Sequence, residues 1–135
     1  RIDNLLTHSV ACTASFTQEA GLAALVKSQA PVVNMIKEFK KRRDFAVKEL
    51  NSIKGVSCLT PQGAFYVFPN IKSFKKSSKE IASCLLQEAG VALLDGTAFG
   101  RYGEGYLRIS YATDIKNLQE GLRKIKSALE SDIIG

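Results

Sequence analysis

One arginine stands alone in a short apolar run directly after a glycine-rich turn, in the stretch Gly103-Glu104-Gly105-Tyr106-Leu107-Arg108-Ile109-Ser110-Tyr111. The run reads as a strand. Side chains alternate across a strand, so Leu107, Ile109 and Tyr111 face one way while Tyr106, Arg108 and Ser110 face the other. One face is then core, and the other is a wall carrying a permanent positive charge. A guanidinium offers a planar fork of donors that matches a carboxylate in two parallel hydrogen bonds, and it does not deprotonate. Two readings follow from the residues alone. Either Arg108 captures a small carboxylic acid, or it makes a surface ion pair with a neighbouring Asp or Glu, a common and mostly weak arrangement.

The rest of the chain supplies alternating helix and strand signals. Residues 1–14 are polar and mixed, which predicts an extended or linking segment ahead of one domain over 15–135. Ser15 is placed to cap a helix over 16–28 with Ala20, Ala23, Ala24 and Leu25 on one face, and Pro31 interrupts it. From Val32 the positions Val33, Ile36, Phe39, Phe45, Ala46 and Leu50 recur at helical spacing, predicting a second long amphipathic helix that ends before Gly55. Strands are predicted at 56–59 and 64–68 around a Thr-Pro-Gln-Gly turn, and again at 91–94 and 106–112. Ser77 or Ser78 caps a helix reaching Ala89, burying Ile81, Leu85 and Leu86, with Gly90 placed to end it. Thr113 and Asp114 open a last helix with apolar Ile115, Leu118, Leu122, Ile125 and Leu129. The order helix, helix, strand, strand, helix, strand, strand, helix gives an α+β, two-layer fold.

Charge and cysteine usage exclude several functions. The formal net charge of +6 comes from scattered lysines with a local cluster between Lys72 and Lys79. No aromatic residues interleave with that cluster at a stacking spacing and Trp is absent, so it reads as a solvated face rather than a nucleic-acid surface. Cys12, Cys58 and Cys84 lie far apart with no C-x-x-C, and His8 is the sole histidine, so neither a disulfide framework nor a metal site is expected. Cys58 and Cys84 read as reduced core residues and Cys12 as exposed, which points to a reducing, cytoplasmic setting. No apolar run is long enough to cross a bilayer, and no membrane partner is expected.

Four pieces in order resemble one family. They are Gln18-Glu19-Ala20-Gly21-Leu22-Ala23-Ala24-Leu25, the pair Arg42-Arg43 before Asp44, the string PQGAFYVFP over 61–69, and VALLDGTAFGRYGEGYLRISYA over 91–112. Together they resemble the C-terminal part of the class I/II aminotransferases, the fold-type I enzymes that use pyridoxal phosphate and include aspartate aminotransferases. The resemblance implies a small, mainly antiparallel sheet covered by helices, with residues 18–25 beginning the family's long interdomain helix. It also implies that the chain is part of an enzyme moving an amino group between an amino acid and a 2-oxo acid, active as a homodimer. A stand-alone α+β small-ligand-binding or regulatory module, lacking the chemistry, is the alternative.

The resemblance assigns roles residue by residue. Arg108 matches the arginine that binds the substrate α-carboxylate. Phe65 or its neighbour Tyr66 matches the strand residue lining the substrate side, with a packing role as the alternative for either ring. Gly96 and Phe99 match a loop near the cleft entrance, but Asp95 stands where the family commonly has proline, leaving that loop's shape open. The Schiff-base lysine, the acid on the pyridine nitrogen and the phosphate cup are expected outside this chain, so the isolated chain should hold no cofactor and no catalytic residue. Ser73 and Lys76 have a Ser-x-x-Lys spacing, but Lys76 is one of several lysines in a solvated connection. The family's dicarboxylate-specific members carry a second arginine, from the partner subunit, in the segment resembling residues 6–12. Thr7, His8 and Ser9 stand there instead, which argues against the strictest aspartate specificity.

Overall fold

The computed structural model describes residues 2–9 and 12–131. Within the segment read as extended or linking, Ile2–Ser9 forms a helix, α1; Arg1, Val10 and Ala11 lie outside the described residues. Polar composition concealed it, because Thr7 and Ser9 send their hydroxyls back to the carbonyls of Asp3 and Leu5, satisfying themselves on the helix. Helix α2, Ser15–Val26, follows. Ser15 is its first helical residue rather than its cap, and Ala14 occupies the cap position without a side-chain bond. Neither helix buries a residue, and Leu5, Phe16, Leu22, Leu25 and Val26 are all more than half exposed.

Helix α3 is Ala30–Asn51. Pro31 lies in its first turn rather than interrupting a helix, a position whose backbone N–H has no intrahelical partner in any case. The chain divides into two compact units, Arg1–Met35 and Ile36–Gly135. In the second, the C-terminal half of α3 carries the buried face, with Ala46, Val47 and Leu50 in the core and Phe39 and Phe45 packed partly against it. Val33 and Ile36, expected on the same face, remain exposed.

Three short strands follow: β1, Tyr66–Val67; β2, Leu94–Asp95; and β3, Leu107–Ser110. They form an antiparallel sheet in the order β1-β3-β2, pairing Tyr66 with Ser110 and Leu94 with Arg108. The strands are shorter than the sequence predicts because other groups take their backbone bonds. Residues 56–59 make only one bridge, Ser57 to Asn70, since the Asn51 side chain both accepts from the Cys58 N–H (2.8 Å) and donates to its carbonyl (2.9 Å). The Val91 N–H closes the end of helix α4, Ser78–Ala89, by donating to Leu85, with Gly90 left-handed between them (φ 65°).

Ser77 caps α4 reciprocally with Glu80, and Asp114 caps helix α5, Ile115–Leu129, by accepting from the amides of Lys116 and Asn117. Ile81 and Leu85 of α4, Leu118, Leu122, Ile125 and Leu129 of α5, and Val67, Leu107, Ile109 and Tyr111 join one core beneath the sheet. Leu86 and Ile115 are exposed instead. Each fully buried Leu or Ile contributes roughly 1.5–3 kcal/mol, so this layer holds β3 with its other face turned outward.

Candidate functional site

Arg108 lies in the middle of the central strand, on the face away from the core, half-buried between buried neighbours Leu107 and Ile109. Its guanidinium carbon is 4.5 Å from the centre of the Phe99 ring and 5.1 Å from that of Tyr66. Phe99 meets Phe68 edge-on at 6.2 Å, and Phe68 stacks on Tyr106 at 5.3 Å with planes 14° apart. The Lys72 ammonium lies 4.9 Å over Tyr106. Among the described residues, no Asp or Glu comes within ion-pair distance of Arg108; the acids pair with Lys40, Lys41, Arg43, Arg123 and Lys124 instead. Ring faces are worth about 0.5–1 kcal/mol to an exposed cation. A charge-assisted hydrogen bond is worth roughly 1.5–3 kcal/mol, so a carboxylate at the guanidinium edge outweighs what the rings supply.

Tyr66 is therefore brought to Arg108, while the Phe65 ring lies against Tyr66, edge-on at 5.7 Å, and is half exposed. Neither ring is core. The turn that delivers them contains Ala64, a non-glycine residue at φ 63°, a left-handed conformation that costs about 1–2 kcal/mol. Tyr111 holds it in place. Its hydroxyl donates to the Ala64 carbonyl at 3.0 Å and its N–H to Phe65 at 2.9 Å. Arg43 completes the support, bonding the Pro61 carbonyl at 3.1 Å from α3.

The loop carrying Phe99 keeps a defined shape without proline. Asp95 accepts from the N–H of Thr97 at 3.0 Å and from its hydroxyl, capping the 3-10 turn Gly96–Phe99. The Thr97 hydroxyl bond, with the backbone amides behind it, holds the Asp95 carboxyl below its ordinary range. Gly96 and Gly103 touch backbone to backbone; a Cβ on Gly96 would fall 2.1 Å from the Gly103 carbonyl oxygen. Glycine at both positions is what lets Arg101–Gly103 fold back under the loop.

Other residues singled out by the sequence lie elsewhere. His8 is exposed at the end of α1, and the neighbouring Thr7 and Ser9 hydroxyls are engaged by their own helix. Ser73 donates to the Gly55 carbonyl at 2.5 Å, and Lys76 is exposed. Cys12 is exposed, Cys58 buried and Cys84 half-buried. Among the described residues no cluster of metal-ligating side chains occurs, and no helix is long and apolar enough to cross a membrane. Tyr106 shares the outer face with Arg108, as the alternation along β3 predicts, whereas Phe68 and Lys72 were not anticipated at the site. Period-two alternation, which pairs Phe68 with Tyr66, is the signal for the first of these; no sequence pattern marks Lys72.

Known proteins resemble this chain throughout. The family model for aminotransferase class I and II matches residues 4–125. An aspartate aminotransferase of Pyrococcus horikoshii is 46% identical over 121 residues, covering 88% of this chain and 31% of that protein. The crystal structure of an aromatic aminotransferase from Pyrococcus horikoshii OT3 superimposes with a TM-score of 0.90 at 37% identity, over 94% of this chain and 34% of that one. A PLP-bound aminotransferase structure from Clostridium difficile 630 is similar at a TM-score of 0.86 and 27% identity, covering 95% of this chain and 34% of its own. The chain thus spans about a third of the length of the relatives it matches.

Proposed function

Because the chain belongs to the aminotransferase class I and II family, we propose that it is the carboxylate-recognising part of an enzyme that moves an amino group between an amino acid and a 2-oxo acid. The observation that carries this is Arg108: half-buried on the outer face of the sheet, flanked by Tyr66 and Phe99, and without an acidic partner among the described residues. A guanidinium whose faces meet rings keeps its in-plane N–H edges for a ligand, and two parallel bonds to a carboxylate fix both position and orientation. Holding the substrate by its carboxylate points its nitrogen in one direction, so that orientation is settled before reaction. The strained Ala64 turn and the Asp95-capped loop place the two flanking rings.

Pyridoxal phosphate supplies the electron sink for this chemistry in such enzymes when bound. A Schiff-base lysine depends on desolvation, and this chain by itself buries none of its described lysines, so the residues here build no pocket for the aldehyde end. The cofactor grip therefore belongs to the two thirds of the relatives' length that this chain does not cover, and no chemical step is assigned to Lys76 or any other lysine here. A homodimer, as the family likeness implies, fits the exposed apolar residues of α1 and α2 as surface covered in the whole enzyme.

The test is Arg108→Lys in the full-length enzyme. Charge is kept and the fork lost, so kcat/KM for amino acids should fall by about one to two orders of magnitude, matching roughly 1.5–3 kcal/mol. Amines without a carboxylate should be affected far less, and cofactor absorbance should not change. Amino-acid turnover within about twofold of the parent would leave Arg108 a structural strand residue.

A further inference from the structure

Ser78, the first residue of α4, is fully buried, hydroxyl included. Its oxygen accepts from the N–H of Gly105 at 2.7 Å and of Tyr106 at 3.1 Å, and donates to Glu104 Oε1 at 3.2 Å. That uses its one donor and both acceptor positions. The same Glu104 oxygen accepts from the Ser78 N–H at 2.8 Å, satisfying one of the amides that a helix start leaves without a partner. The turn before β3 and the first turn of α4 are thereby closed on each other.

The remaining backbone groups of that turn are tied from the other side. Ile71 donates to the Gly105 carbonyl at 2.8 Å, Gly96 to the Tyr106 carbonyl at 2.9 Å, and Leu107 to Pro69 at 3.2 Å. Every backbone polar group of Gly105 and Tyr106, three and two residues before Arg108, is engaged. Tyr106 then stacks on Phe68, Phe68 meets Phe99, and Phe99 lies over Arg108. We propose that Ser78, with Glu104, is a positioning residue for substrate: it sets the register at which β3 begins and the ring support of Arg108, without touching the carboxylate. This rests on the reading of Arg108 as the carboxylate site.

Arginine's two-bond fork tolerates little rotation, so a loosened turn should weaken carboxylate recognition before it affects anything done by the cofactor-binding part. In the full-length holoenzyme, Ser78→Ala should raise KM for amino acids and the inhibition constant of a simple monocarboxylate by about fivefold or more, with carboxylate-free amines within about twofold. Glu104 is exposed, so its variants leave the core untouched. Glu104→Ala should shift the same constants in the same direction, and Glu104→Gln, which keeps the acceptor oxygen, should restore them. A folded Ser78→Ala enzyme that still discriminates amino acids from amines as the parent does makes Ser78 a stability residue only and overturns the inference. If Ser78→Ala does not fold, the Glu104 pair decides: loss in Ala with rescue in Gln supports positioning, and parent-like constants in both overturn it. Arg108→Lys run in parallel separates the two readings. A large loss there with parent-like Ser78 and Glu104 variants fails positioning alone, whereas no loss there fails the carboxylate site and the inference with it.

Discussion

The Phe99 ring centre lies 4.5 Å from the guanidinium carbon of Arg108, so a loop residue and a strand residue distant from its turn share one surface. Phe99 also meets Phe68, and it is half exposed. Truncating it should free the guanidinium to rotate. Phe99→Ala in the full-length enzyme should raise KM for amino acids by about two- to fivefold, the equivalent of roughly 0.5–1 kcal/mol, with kcat nearly unchanged. Steady-state kinetics with an unchanged kcat/KM would remove Phe99 from the site.

The left-handed Ala64 makes a stability prediction that contacts alone do not. Glycine adopts that conformation without the Cβ penalty but loses more entropy on folding, so Ala64→Gly should change stability by no more than about 1 kcal/mol in either direction. Ala64→Val, branched at Cβ, should destabilise by about 1–3 kcal/mol. Urea midpoints of the two variants should therefore separate clearly, with valine the lower.

Two glycines should respond oppositely to alanine. A Cβ on Gly96 meets the Gly103 carbonyl oxygen at 2.1 Å, whereas one on Gly121, within α5, meets nothing within 4 Å. Gly96→Ala should cost about 1–3 kcal/mol as the loop is forced open. Gly121→Ala should stabilise by about 0.5–1 kcal/mol through helix propensity. Thermal denaturation reads both, and equal shifts would contradict the backbone contact.

Acid should loosen the helix starts. The Asn117 amide at Asp114, the Ser77 hydroxyl at Glu80 and the Thr97 hydroxyl at Asp95 each hold a carboxyl below its ordinary range. Their folded values are lower than their unfolded ones, so the stability they contribute is present above the unfolded range, near pH 4, and is lost as pH falls through the folded values. Asparagine still caps a helix without titrating, so Asp114→Asn should flatten the decline of the urea midpoint below about pH 4 while leaving the neutral-pH midpoint almost unchanged.

The isolated chain should not take up cofactor at one place. Mixed with pyridoxal phosphate and reduced with borohydride, it should show sparse labelling spread over surface lysines, because none of the described lysines is buried. A stoichiometric adduct on a single lysine, located by peptide mapping, would contradict this.

Local chemistry made much of the fold legible. Ser77 with Glu80, Gly90 and Asp114 mark helix ends through bonds made within a few residues, and the structure has α4 and α5 where those signals stand. Alternation in β3 likewise separates Leu107, Ile109 and Tyr111 from Arg108, because strand geometry has period two wherever the strand lies. Sequence reading missed features that composition and periodicity do not carry. The Asn51 amide withdraws Cys58 from a strand, α1 is helical despite its polar composition, its Thr7 and Ser9 hydroxyls bonding carbonyls four residues back, and Val33 and Ile36 are exposed although their spacing matches the buried part of α3. At the site, sequence reading singled out Arg108 with Tyr106 on its face, two candidate rings, Phe65 and Tyr66, and Gly96 and Phe99 in a loop near the cleft entrance. Only tertiary structure decided that Tyr66 rather than Phe65 flanks the guanidinium, that Phe99, Phe68 and Tyr106 continue the row, and that Ser78 stands behind it. A hydrogen bond or ring contact between residues far apart in the chain leaves no period in the sequence, since it forms only when the core has already brought the two elements together.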